Sequence, residues 1–392
     1  MSKHNEQWSP PTWVLSLGAG LAPFAVTLVA PAIPAMAIDL KADSNIAQLV
    51  LTTLLLSIAM GQLVVGPLSD RFGRKPLFLG GAVAYCVAGF GAVLSDTIEG
   101  IIFFRVIQGF GAAAAVAMSR SIVVDFYGRD RGAGVMSTII AMMAIIPVFG
   151  TSLGGILTDL VGWHGSFFML AVTGLILTIL VGTQIQETHK PEHVFTFGDA
   201  LMGYRELLQT ERFLASALTT AFQTAVFFAM MGFIAYSFER MSISPKEFGV
   251  WMATTSVGYV IGNLANKSLL KRYRIEIITL VGAIASLTSL LLMDIWYNTA
   301  PNSPTGLAIP MFLVGLSNGV IIANSIIIAS SAIPRLRGSA TGLVGAMQMG
   351  AGGISGTVAI WLGADQNTHV GIFTLIVISF CSLLSAWWSS KL

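Results

Sequence analysis

The stretch GQLVVGPLSDRFGRKP, Gly61 to Pro76, sets Asp70, Arg71, Arg74 and Lys75 into a turn between two apolar segments. Each flanking segment runs for about 20 residues without a charge, the length of helix that crosses a bilayer's hydrocarbon core. The rest of the chain has the same texture. Of 392 residues, 55% are hydrophobic and 10% charged, whereas a soluble domain carries about 25% charged residues. The apolar runs lack the strict alternation of a barrel strand, so the spans are expected to be helices.

Other classes find little support. A net charge of +2 offers nothing for a nucleic-acid partner. Cys86 and Cys381 lie inside apolar runs, where thiols behave as small hydrophobes, and no metal or cofactor spacing is present. The N-terminal MSKHNEQWSPPTWVL lacks the pattern of a removed signal peptide, so the first span is expected to serve as its own insertion signal. An enzyme would need a nucleophile–base pair or a metal cluster, and none can be assembled when the histidines and acids lie at span edges.

Windows bounded by charges or turn residues give twelve spans, near 13–36, 46–66, 76–95, 99–121, 133–157, 165–185, 213–236, 248–267, 276–295, 306–329, 339–362 and 370–388. With both termini cytoplasmic, thirteen basic residues, among them Arg71, Arg74, Lys75, Arg129, Arg131, Lys271 and Arg335, fall in or beside cytoplasmic loops. Only Lys41, Arg240 and Lys246 fall on the other side, which satisfies the positive-inside rule. The one long polar connection, 186–212, divides the chain into an N-terminal bundle (1–185) and a C-terminal bundle (213–392). The halves echo each other. Ser57–Arg74 aligns with Gly258–Ile275, pairing Gly61 with Gly262, and Phe104–Gly111 aligns with Phe312–Gly319. Parallel repeats of this kind are expected of an alternating-access carrier.

GPLSDRFGRKP resembles the loop between spans two and three of the major facilitator superfamily, with its Gly-x-Leu-x-Asp-Arg-x-Gly-Arg-Lys pattern. Gly66 would let helices approach closely, and Gly73 would permit a turn that a Cβ strains. The resemblance implies that Asp70 sits against the start of span eleven, near Gly338–Thr341, with Asp125 at the end of span four as a further charged partner. Together they would form a cytoplasmic latch between the halves. In span four, Arg105, Gln108, Gly109 and Gly111 resemble the family's Arg-x-x-Gln-Gly-x-Gly pattern. Arg105 is placed well inside the membrane, where a charge needs a cavity or a partner. Span five, IIPVFGTSLGGIL, resembles the antiporter signature through Pro147, Gly150, Gly154 and Gly155, with Gly150-Thr151 where many antiporters have Gly-Pro or Ala-Pro. Span one, with Pro31 and Pro34, resembles the Bcr/CflA branch of twelve-span drug/proton antiporters. Thr27 stands where members commonly carry an acid.

No acid and no histidine lies deep in a span. Coupling would therefore use an edge acid, with Asp39 and Glu99 as candidates beside Arg105, or the carrier would be uncoupled or coupled through its substrate. In this superfamily helices one, four, seven and ten line the cavity, which names Phe24, Thr27, Gln108, Gln223, Phe227, Met230, Tyr236, Asn318 and Asn324. The resulting expectation is a monomeric, multi-pass inner-membrane carrier of a small organic molecule, most simply a proton-linked exporter of drugs or toxic compounds. A specific carrier of a siderophore, nucleoside or other polar metabolite is the alternative.

Overall fold

The computed structural model describes residues 8–188, 197–301 and 303–392; the side chains of 70, 128–134, 137, 140, 141, 144, 197, 199 and 200 are also outside the description. The described chain is helical throughout. Span one is α1 (Thr12–Thr27), a short 3-10 turn at Ala30–Ala32 and α2 (Ile33–Asp39). Pro31 and Pro34 explain the interruption, since each removes a donor and crowds the carbonyl four residues back. Spans two and three are α3 (Ser44–Phe72) and α4 (Arg74–Val93), and α5 (Ile98–Val161) carries spans four and five. Then come α6 (His164–Gln184), α7 (Phe197–Leu208) in the central connection, and α8 (Glu211–Arg240), α9 (Pro245–Leu269), α10 (Ile275–Thr299), α11 (Pro304–Ser331), α12 (Arg337–Trp361) and α13 (Thr368–Lys391) for spans seven to twelve.

Helical backbone continues without a break from Ile98 to Val161, yet α5 turns back on itself. Arg120 Nη2 lies 3.7 Å from Met143 Sδ across 23 residues, a separation of about 35 Å in a straight helix. Helix starts follow local chemistry. Thr97 Oγ1 accepts from the Gly100 N–H at 3.2 Å, with Glu99 in the first turn of α5. Ser244 and Glu247 form a reciprocal capping box on α9.

Among the described residues, ten helices are long and apolar enough to cross a membrane, with Ile145–Val161 as a shorter apolar leg. That leg and α9, which carries Lys246, Glu247 and Lys267, supply the other two of twelve spans in two six-helix bundles. Both bundles use the same packing device. Ideal Cβ atoms at Gly109 and Gly61 would meet Leu54 O at 2.7 Å and Ala113 Cβ at 2.5 Å, closing α3 on the first leg of α5. At Gly262 and Gly319 they would meet Leu316 O at 2.1 Å and Tyr259 O at 2.3 Å, closing α9 on α11. Small residues allow this approach where lipid provides no hydrophobic drive between helices.

The apolar core is divided unequally across the membrane. Its largest cluster joins spans one to six to the outer ends of the C-terminal helices, including Phe233, Phe238, Phe248, Met293, Met311 and Ile372. The inner ends of the C-terminal helices form separate clusters, around Phe213, Leu343 and Val344 and around Ala283, Ile321 and Ala386. The main core shared by the bundles therefore lies toward the outer side. On the inner side the contact is narrower: Leu63 of α3 packs beside Leu343 and Val344. Tyr204 of α7 donates to Leu63 O at 3.5 Å, while Glu206 of α7 pairs with Arg335 before α12.

Candidate functional site

Three polar constellations stand out against this apolar scaffold. The first is the charged turn between spans two and three. Gly73, at φ +93°, links α3 directly to α4, a conformation in which L side chains are strained. The N–H groups of Arg74 and Lys75 donate to Glu187 Oε1 and Oε2 at 3.0 and 3.1 Å. A carboxylate thus caps the positive end of α4. Arg74 Nε pairs with Asp125 Oδ2 at 2.9 Å and its guanidinium also donates to Ser69 Oγ, while Lys75 Nζ donates to Gly182 O at 3.1 Å. Arg71 lies 5.2 Å over the Phe72 ring. The Asp70 side chain lies outside the described residues. Gly66 and Gly338 have open space where a Cβ would sit. Gly73→Ala would bring its Cβ to 2.5 Å from Glu187 Oε2. It is expected to cost about 1–3 kcal/mol, read as a lower apparent melting temperature in detergent.

The second constellation surrounds Arg105, which is fully buried. Its Nε donates to Val50 O of α3 at 3.0 Å, Nη2 to Ala25 O of α1 at 3.0 Å, and Nη1 to Gln108 Oε1 at 2.8 Å. The Phe167 ring of α6 lies 5.6 Å from the guanidinium carbon. Ala25 sits in the last turn of α1, where carbonyls lack helical partners. Arg105 therefore ties four helices of the N-terminal bundle together.

The third is the seam between bundles. Gln48 of α3, 2% exposed, inserts between α8 and α12. An ideal Cβ at Gly232 would lie 3.0 Å from its Nε2, and one at Gly356 2.6 Å from the same atom. One turn further in, Thr52 Oγ1 lies 2.6 Å from Thr357 Oγ1 and donates to Gly353 O at 3.3 Å. Across the other seam, Ser152 Oγ donates to Gly249 O at 3.4 Å. The Gly155 position would meet Pro245 O at 2.3 Å.

The remaining sequence candidates are placed as follows. Gly150 and Gly154 pack on α1, with ideal Cβ atoms 2.2 Å from Thr27 Oγ1 and 2.1 Å from Leu28 O. Pro147 is inside α5, and its carbonyl accepts from Thr151 Oγ1 at 2.9 Å. Thr27 is buried and donates to Pro23 O at 2.8 Å; Phe24 beside it is half-buried. Gln223 donates to Ser286 Oγ at 2.6 Å, and Asn324 exchanges bonds of 2.8 and 3.0 Å with Asn266. Both amides thus bond within the C-terminal bundle. Met230 and Asn318 are buried and Phe227 half-buried. Tyr236 lines an outer cleft of about 310 Å³ with Lys41, Asp43, Ser44 and Glu239. Asp39 accepts from Trp163 Nε1 at 2.8 Å, and Glu99 is exposed.

Structure thus unites Arg74 with Asp125, Arg105 with Gln108, and Thr27 with Gly150, and it scatters the other candidates. Sequence reasoning had not singled out Glu187 or Gln48 with its glycine socket. An amide among the apolar residues of span two, one of two with Gln62, was the one signal available for Gln48.

Comparison with known proteins places these features in context. The profile of the Major Facilitator Superfamily matches residues 15–356. A bicyclomycin resistance protein homolog of Haemophilus influenzae is 27% identical over 385 residues, covering 95% of this chain and 94% of its own length. A chloramphenicol resistance protein of Pseudomonas aeruginosa is 30% identical over 321 residues, 78% of this chain and 72% of that protein. Among solved structures, a D-xylose–proton symporter superposes with a TM-score of 0.77 at 14% identity, covering 96% of each chain. The nucleoside transporter NupG gives 0.75 at 15% identity, covering 97% of this chain and 98% of that one. At such identities the structures speak for the fold alone.

Proposed function

Because the chain belongs to the major facilitator superfamily, in its Bcr/CflA-like branch, as a multi-pass inner-membrane protein, we propose that it exports drugs or small toxic organic compounds in exchange for protons. Near-full-length similarity to a bicyclomycin resistance protein homolog carries this reading, and similarity to a chloramphenicol resistance protein supports it. The division of the apolar core fits alternating access. A carrier that rocks two bundles must close one side with shared apolar surface while the other side parts, and here the larger shared core is on the outer side.

In this reading, residues 1–185 and 213–392 move as two bodies joined by 186–212. The transporter acts as a monomer in the bilayer, without a cofactor, a nucleic-acid partner or any enzymatic step. The Arg74–Asp125 pair and the Glu187 cap hold the motif turn rigid, so that the inner ends of α3 and α4 move together. Asp39 and Glu99, both at the outer edge, are the carboxylates proposed to exchange protons.

The test is transport in everted vesicles containing the full chain, with a pH-sensitive dye as readout. Adding chloramphenicol or bicyclomycin should release protons from the energised lumen, and cells expressing the chain should tolerate several-fold more of the same drug. Asp39→Asn or Glu99→Gln should abolish the flux if that acid exchanges the proton. Folded protein that changes neither drug tolerance nor proton flux would refute the reading.

A further inference from the structure

A second arginine lies on the first leg of α5, fifteen residues beyond Arg105. Arg120 is half-buried, and its one hydrogen-bond contact among the described residues is Met143 Sδ on the returning leg, at 3.7 Å. Thioether sulfur is a weak acceptor and leaves the guanidinium charge unmatched. The nearest carboxylate along the helix, Asp125, is paired with Arg74. It also projects about 140° away around the axis.

The face that carries Arg120 is turned into the protein. Positions seven and eleven residues before it are Ala113 and Gly109, on the same side of a 3.6-residue helix. Both pack on α3, against Gly61 and against Leu54 O and Ser57. At Arg120, two turns closer to the inner side, the returning leg of α5 supplies the contact at Met143. Arg120 thus lies on the α3-facing side of the first leg and against the returning leg of α5, and α3 and that returning leg are the two N-terminal elements that face the C-terminal bundle across the seams. This inner side also lies away from the main core shared by the bundles. Keeping a guanidinium inside a membrane protein is costly, and an arginine with no carboxylate partner among the described residues is a ready bidentate partner for one.

From these observations we infer that Arg120 is the cation of an inner-facing binding site and receives an anionic group, a carboxylate above all, on the organic cargo. The inference rests on the export reading and specifies its substrate class. No covalent step is involved. The guanidinium pairs with the cargo's anion when the inner side is open and gives it up when the bundles rock.

The experiment measures binding by tryptophan fluorescence to the purified full chain in neutral detergent. Its probes are nalidixate, an aromatic carboxylate, the uncharged methyl ester of nalidixate, and chloramphenicol. Wild-type protein should bind the carboxylate at least about tenfold more tightly than the ester, the effect of one charge-assisted pair. Arg120→Ala should erase the difference while changing ester affinity by less than about twofold, and Arg120→Lys should retain part of it. Added phosphatidylglycerol should leave carboxylate binding unchanged. Displacement by that lipid would reassign the site to a headgroup and overturn the inference. Equal wild-type affinities for carboxylate and ester would overturn it, as would an Arg120→Ala loss shared equally by both. Chloramphenicol binding without nalidixate binding would refute the anion site and spare the export reading. Failure of every probe would refute both.

Discussion

Arg105→Ala should cost the folded protein about 3–5 kcal/mol, since each buried acceptor left unpaired costs about 1–3 kcal/mol. The change strips donors from Val50 O, Ala25 O and Gln108 Oε1 at once. All three acceptors remain in a region that water does not reach. Gln108 Nε2 already lacks a hydrogen-bond partner among the described residues, so its amide is not rescued by a simple flip. Arg105→Lys should recover only part of the loss, because an ammonium is a point charge on a flexible stem and cannot reach backbones of two other helices in a planar fork. The measurement is apparent melting temperature in detergent, paired with transport in vesicles. Both should fall together. Transport lost at unchanged melting temperature would show instead that Arg105 acts on the proton or cargo.

That outcome bears on what could be read from the chain alone. An arginine deep in span four is visible at once, because the surrounding 20 residues are apolar. Its acceptors are not. Two of them are backbone carbonyls at positions 25 and 50, and every residue has a carbonyl, so no side-chain pattern marks these two. Glu187 raises the same difficulty. It caps α4 from 113 and 112 residues away, and nothing about an acid in a polar connection names its partner.

The spans were legible for a stronger reason. Hydrocarbon thickness demands about 20 apolar residues of helix, and the positive-inside rule orients them, so length and loop charge carry the architecture without tertiary detail. Azimuth is harder. Gln223 and Asn324 sit on the helices that line the cavity in the family, yet each bonds to a neighbour inside its own bundle, Ser286 and Asn266. Which way a helix faces is decided by the packing of its glycines on neighbouring backbones, and a list of span limits does not contain that. The branch resemblance drawn from Pro31, Pro34 and span five agrees with the bicyclomycin and chloramphenicol resistance relatives. Thr27, standing where members commonly carry an acid, packs against Gly150.

Gly356→Leu is expected to trap the outer side open. A side chain there would compete for the space that Gln48 Nε2 occupies, 2.6 Å from the ideal Cβ, in a socket whose opposite wall is Gly232. Within the C-terminal bundle the same Cβ would only reach ordinary contact, with Phe228 O of α8 at 3.6 Å. Replacing a helix-interior glycine even gains up to about 1 kcal/mol of helix propensity. Overpacking costs about 1–3 kcal/mol and falls chiefly on the closed state, in which Gln48 fills the socket, so the equilibrium should shift toward the outward-open state by roughly tenfold or more. Gly232→Val should act in the same direction. Thr52, which meets Thr357 and Gly353 one turn further in, reports the change. In a background lacking Cys86 and Cys381, Thr52→Cys should react with a membrane-impermeant maleimide from the outside about tenfold faster once Gly356→Leu is added. Transport should fall while melting temperature stays close to that of the parent. Gln48→Ala should relieve the block, since it empties the socket that the new side chain needs. Unchanged labelling with Gly356→Leu would mean that the Gln48 socket does not govern closure. A large drop in melting temperature would mean that the seam holds the bundles folded rather than gating them. The socket is an inter-bundle feature of α3, α8 and α12, so selective loss of the closed state, with both bundles intact, is the signature that separates a gate from a core.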